Sequence, residues 1–245
     1  MIKVAAISYL NSIPFIYGLE NSNIYSDIIL SLDYPSRVAD SLLNDKVDIA
    51  LAPIVVLNEL KDYNVVSEFC IGAESSVDSV CLYSNVPIEK IKTISLDNQS
   101  RTSVELLKLL LREYWNVNPI LINALSNENF EIHDDRAALV IGDRSFILNG
   151  QYNYVYDLAE IWNLMTGLPF VFACWITTKK LSDNFLIDFN NALKYGVNNI
   201  SKSLEVKSYK NNYVNHEDYL RTKISYNLNL RKKKAMQLFL KRIKI

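Results

Sequence analysis

The chain has 245 residues, 49% hydrophobic and 22% charged, which is enough apolar material for one large or two small packed domains and too much for a disordered chain. Its 26 Lys+Arg against 27 Asp+Glu leave a formal net charge of -1, which argues against a dedicated nucleic-acid binder. No apolar run approaches the roughly 20 residues needed to span a bilayer, and no leader pattern opens the sequence, so the chain reads as cytoplasmic. Cys70, Cys81 and Cys174 lie far apart without a C-x-x-C pair and read as buried thiols. None of the glycines stands two positions from another, so there is no G-x-G-x-x-G and no P-loop to support nucleotide chemistry.

Met1 to Ser8 reads as a buried strand that ends in the polar turn Tyr9-Leu10-Asn11-Ser12-Ile13-Pro14. Between Ser36 and Asp45, Val38, Leu42 and Leu43 share a helical face, and Val47 to Pro53 forms a second buried strand. Strand, helix, strand predicts a parallel α/β sheet, because a parallel pair needs a crossover. Ser79 to Ser84 and Lys92 to Leu96 are further strands, and the break at Asn85-Val86-Pro87 places a domain crossing near residues 85 to 91. Thr102-x-x-Glu105 has capping-box spacing ahead of Val104, Leu107, Leu111, Tyr114 and Trp115, which predicts a helix beginning at Thr102. Ala137 to Asp143, Tyr154 to Leu158 and the long apolar run Phe170 to Thr177 supply the remaining strands, the last of them suited to return the chain to the first domain. Leu186, Phe189, Leu193, Val197 and Ile200 mark an amphipathic helix. Beyond it basic residues outnumber acidic ones, and Arg231-Lys232-Lys233-Lys234 reads as the solvated face of a helix that carries Met236, Leu238, Phe239 and Leu240.

The two histidines, His133 and His216, lack the spacing that puts two imidazoles on one metal, and with no G-x-S-x-G elbow they offer little to a nucleophilic triad. Ser100-Arg101-Thr102-Ser103 is more informative. Hydroxyls, free amides and a guanidinium at a helix start suit a carboxylate or phosphate, although an ordinary capped helix with a solvent-facing Arg101 has the same sequence. Ser8-Tyr9-Leu10-Asn11 presents similar donors at a strand end, where ligands bind in open α/β sheets. Asp143, Asp157 and Glu160 follow or end apolar strands and are candidates for a desolvated base, with helix capping and ion pairing as the alternatives. Trp162 and Trp175 suit either the wall of a planar-ligand site or the core.

Taken together, seven segments resemble one family. They are Ser8-Tyr9-Leu10-Asn11, Asp33-Tyr34-Pro35-Ser36-Arg37, Ser79-Val80, Ser100-Arg101-Thr102-Ser103, Ile141-Gly142-Asp143, Asp157-Leu158-Ala159-Glu160 and the stretch Thr166 to Ala173. In that order they resemble the chorismate dehydratases of the futalosine route to menaquinone. The resemblance implies a two-lobed, periplasmic-binding-protein-like (type 2) α/β fold with a ligand cleft between lobes, one lobe formed by residues 1–85 plus 178–245 and the other by 86–177. It implies a hydro-lyase that works without cofactor or metal and converts chorismate to 3-(1-carboxyvinyloxy)benzoate. Carried over by position, it points to Asn11 and Ser79 as catalytic, and to Ser8, Tyr9, Ser100, Arg101, Thr102, Ser103 and Asp143 as substrate-binding. Ala159, Ile54 and the stretch Glu74 to Asp78 depart from the family pattern. Competing readings are a non-catalytic carboxylate-binding protein of the same fold, the sister enzyme that forms 1,4-dihydroxy-6-naphthoate, and a regulator that uses its basic tail on nucleic acid.

Overall fold

The computed structural model describes residues 1–124, 130–207 and 213–244. From β1 (Ile2–Ile7) the chain runs through α1 (Ile13–Glu20) to β2 (Ile28–Asp33), then through α2 (Pro35–Leu43) to β3 (Ile49–Pro53) and β4 (Asn64–Ala73). There follow β5 (Val80–Ser84), β6 (Thr93–Leu96), α3 (Arg101–Leu110), β7 (Ile120–Asn123), β8 (Arg136–Ile141), β9 (Tyr154–Asp157), α4 (Leu158–Thr166) and β10 (Phe170–Thr177). The chain closes with α5 (Asp183–Asn198), α6 (Ile200–Lys207), α7 (His216–Asp218) and α8 (Leu230–Arg242).

The strands form two mixed five-stranded sheets, ordered β2-β1-β3-β10-β4 and β7-β6-β8-β5-β9. The expected parallel pairing of β1 with β3 is present, and β2 pairs with the other side of β1. Strand β10 is buried along its whole length because antiparallel neighbours flank it in the middle of the first sheet. The exposed side of β4 is covered by residues 225–228, which exchange backbone bonds with it, including Cys70 N to Tyr226 O at 2.7 Å and Ser225 N to Gly72 O at 2.8 Å. That pairing removes an open sheet edge. It also carries the C-terminal segment to the interlobe cleft.

Sheet membership moves both crossings from the expected boundaries. Val80 pairs with Ile141, so β5 already belongs to the second sheet, and Phe170 pairs with Ala73, so β10 belongs to the first. The chain therefore crosses within residues 74–79 and returns within 158–169, and Asn85 to Pro87 is only a turn inside the second lobe. Helix α3 also starts earlier than expected. Ser100, in extended backbone, caps it by accepting from Ser103 N, which leaves Thr102 buried inside the first turn.

Helix α1 is buried on every side except Glu20 and packs tightly on α5. A Cβ on Gly18 would stand 2.1 Å from Ala192 O, and one on Gly196 would stand 1.8 Å from Pro14 O, so this helix crossing admits only glycine. Trp162 and Trp175 are fully buried core residues rather than ligand walls, packing on Phe170 and Phe239 and on Phe15 and Phe189 respectively. All three cysteines are buried free thiols, and burial pushes each thiol pKa up. Among the described residues no helix is long and apolar enough to cross a membrane.

The basic run is not uniformly solvated. Lys232 is fully buried, and its ammonium donates to Ser225 O at 2.7 Å, Ser225 Oγ at 2.5 Å and Asn227 O at 2.8 Å, with Glu74 at 3.6 Å. Three neutral oxygens and one carboxylate compensate the lost hydration, and burial still pulls the lysine pKa down.

Candidate active site

The two sheets meet at a cleft whose free space, counted out into open solvent, is about 470 Å³. Its walls come from strand ends. Ile7 ends β1, Tyr9 and Asn11 follow it, Pro53 ends β3, Ser100 and Ser103 start the helix after β6, and Gly142 follows β8. Ligands are expected at such carboxyl ends of parallel strands. Phe172 and Ala173 of β10, with Val77 and Ser79 of the first crossing, complete a lining whose polar atoms are hydroxyls and an amide.

Ser79 is buried, with its hydroxyl 2.7 Å from the Tyr219 hydroxyl and its carbonyl accepting from Gly142 N at 2.8 Å. Asn11 is held by its backbone, since Tyr226 donates to its carbonyl at 2.9 Å. Ser12 Oγ lies 3.3 Å from the Asn11 Oδ1. Tyr9 donates its hydroxyl to Gln99 Oε1 across the cleft. Gln99 is itself fixed by Asp97, a buried carboxylate that also accepts from Ile141 N at 3.0 Å and from the Arg144 guanidinium at 2.6 Å. Burial raises the phenol pKa of Tyr9, Tyr219 and Tyr226, so all three stay protonated at neutral pH.

Gly142 sits where no other residue fits. Its φ of +66° is the left-handed region, and a Cβ there would lie 2.7 Å from the Tyr9 ring. The ring therefore packs directly on the backbone after β8.

The structure gathers Tyr9, Asn11, Ser79, Ser100 and Ser103 around one cavity and leaves the other expected residues outside it. Ser8 is exposed, and Thr102 is buried with no partner for its hydroxyl among the described residues. Arg101 turns to a neighbouring groove, where Asp40 at 2.5 Å and Glu59 at 3.2 Å neutralise it. Asp143 accepts from Leu10 N at 3.2 Å, joining the lobes beside the cavity without lining it. Asp157 is occupied as a cap, accepting from Ala159 N and Glu160 N as well as from Val77 N at 2.8 Å and Asp78 N at 2.6 Å. Glu160 is exposed. None of the candidate carboxylates lines the cleft.

Gln99, Asp97 and Tyr226 carry no local sequence signal for a site, and Tyr219 shows only as part of a Tyr219-Leu220 region compatible with the family pattern. Only the fold brings the tyrosines there, from 140 and 215 residues away.

With this geometry in view, the sequence profile of the menaquinone biosynthesis family matches residues 2–244. The chain belongs to that family. As a member of it, the protein has solved structural neighbours that share its fold. Protein AF1704 from Archaeoglobus fulgidus superposes with a TM-score of 0.75 at 15% identity, covering 98% of this chain and 96% of that one. An alkanesulfonate-binding protein from Xanthomonas axonopodis, solved with bound MOPS, gives 0.63 at 12% identity over 98% and 92%. A Candida albicans protein described as having the generic periplasmic-binding-protein fold gives 0.59 at 12% identity over 99% and 94%. The family member therefore has the periplasmic-binding-protein fold.

Proposed function

We propose that the chain is a chorismate dehydratase, a hydro-lyase that removes water from chorismate to form 3-(1-carboxyvinyloxy)benzoate. The observation that carries this reading is the composition of the cleft. Neutral polar side chains, Tyr9, Asn11, Ser79, Ser100 and Ser103, face a cavity whose other walls are apolar. The reaction makes matching demands: hold a dicarboxylate, orient the ring C3–H and C4–OH bonds, and exclude water.

The chemistry places the difficult steps on the substrate. The C3 proton is vinylogous to the ring carboxylate, so the charge left by its removal spreads onto that group, and loss of the C4 hydroxyl yields an aromatic ring. The hydroxyls at the start of α3 and the positive end of its dipole suit a substrate carboxylate, with Ser100 and Ser103 held 2.8 Å apart by their own hydrogen bond. Asn11 and Ser79 suit the reacting edge, donating to the leaving hydroxyl. Among the described residues, no side chain lining the cleft ionises as a base near neutral pH. Of the bases open from the sequence, a carboxylate of the substrate itself is the one this lining favours. The C3 proton and the departing hydroxide leave together as water, so the cycle consumes no external acid or base.

Asn11→Ala and Ser79→Ala test the assignment. Each should keep the wild-type melting temperature within a few degrees and lose about 100-fold or more in turnover, the scale for removing one preorganised donor. Wild-type turnover in both would remove these residues from the site. Chorismate that raises the melting temperature yet persists unchanged would make the protein a receptor instead.

A further inference from the structure

We propose that Tyr219 is a positioning residue for the elimination: its hydroxyl donates to Ser79 Oγ and so turns the Ser79 proton into the cavity, toward the departing hydroxyl. This inference rests on the dehydratase reading and deepens it. The two hydroxyl oxygens are 2.7 Å apart, Ser79 lines the cavity, and Tyr219 does not. Ser79 can send its hydrogen into the cavity, whereas the one hydrogen-bond partner of the Tyr219 hydroxyl among the described residues is Ser79 Oγ, and that asymmetry favours donation from Tyr219 to Ser79. Once Ser79 Oγ accepts from that side, its own hydrogen is left for the substrate. The second proposed catalytic residue, Asn11, is held separately, by Tyr226 through its carbonyl.

The surroundings fix the phenol. Its ring meets the Phe146 ring edge-on, with centroids 4.9 Å apart, so Tyr219 is gripped by the second lobe as well as by its own segment. The backbone from Tyr219 to Lys223 is a π-helical turn, an irregularity that re-aims side chains and recurs at functional sites. Ser79 is further held through its carbonyl by Gly142 N. The hydroxyl chain from Tyr219 through Ser79 to the cavity is therefore preorganised before substrate arrives.

The test compares the full-length wild type with Tyr219→Phe, Ser79→Ala and the double variant on chorismate. Tyr219→Phe keeps the ring on Phe146 and should stay folded. Its kcat should fall about 10- to 100-fold with KM within about threefold, the cost of weakening one donor in the transition state. The double variant should be no slower than Ser79→Ala alone, because the phenol acts only through the serine. An unchanged kcat, or losses that multiply, overturns the proposal while leaving the dehydratase reading standing. A wild type that leaves chorismate unconverted overturns both. A second measurement guards against a folding defect in the variants. In the NMR spectrum of the wild type the buried Tyr219 hydroxyl proton should be visible and should shift in Ser79→Ala, and an unshifted signal overturns the pairing.

Discussion

The guanidinium of Arg101 lies 2.5 Å from the carboxylate of Asp40, tying the start of α3 to α2 outside the cavity, with Glu59 as its second partner at 3.2 Å. This residue is where the expected substrate clamp and the observed structure part. An arginine already neutralised by two carboxylates outside the cavity acts on how the lobes meet, not on the ligand.

Arg101→Ala should therefore raise KM only a few-fold and cost at most about 1 kcal/mol, the range for a partly exposed ion pair. The effect should shrink at high ionic strength, which turnover assays in graded salt will show. A rise in KM of a hundredfold or more would put Arg101 on the substrate.

Gly142→Ala should damage both stability and turnover. A Cβ at φ +66° against the Tyr9 ring forces strain and displaces the ring, at a cost of about 2 kcal/mol. Gly150→Ala is the matched control, since φ is +74° there and nothing lies within 4 Å. Denaturant midpoints and turnover for the two variants separate the ring contact from the backbone cost, and equal losses would mean that Tyr9 gives way freely.

Lys232→Met should destabilise the protein by about 2 to 4 kcal/mol, because it strips the bonds from Ser225 O, Ser225 Oγ and Asn227 O in a buried site. Lys234→Ala, at an exposed position two residues on, should change stability by no more than about 0.5 kcal/mol. Equal effects in chemical denaturation would contradict the burial of Lys232.

Asp157 gives a pH signature. Burial pushes its carboxyl up to about 6 from the ordinary 3.8, against the pull of its backbone donors. The folded chain then binds more protons than the unfolded chain between those values, so this group's contribution to stability falls as pH rises from about 4 to 6. The stability advantage of wild type over Asp157→Asn should narrow across that window in urea titrations. An advantage that widens instead would mean that the carboxylate is favoured in the fold.

Which of these features the sequence discloses follows from how each is buried. β1, β8 and β10 are legible because they are buried on both faces over most of their length and read as continuous apolar runs. β2 is mostly solvent-facing, and β4 mixes exposed and buried positions, so neither shows a clean period. α1 is apolar all round, which erases the stripe that marks a helix. Tyr9, Asn11, Ser79, Ser100 and Ser103 are visible as turn and cap residues in ordered motifs, because strand ends concentrate such chemistry locally. The roles of Tyr219, Tyr226 and Lys232 are not visible, because they depend on a C-terminal segment paired along β4. The crossings were displaced for the same reason: strand pairing, not the Asn85 to Pro87 break, decides which sheet β5 joins.

The most direct measurement is the conversion of chorismate by purified, metal-free protein, followed in the ultraviolet as the cyclohexadiene becomes a benzoate, with the product's mass determined. The account predicts catalytic turnover to a product lighter by one water and carrying an intact enolpyruvyl ether. Chorismate recovered unchanged, or a product that has kept its C4 oxygen, would contradict it.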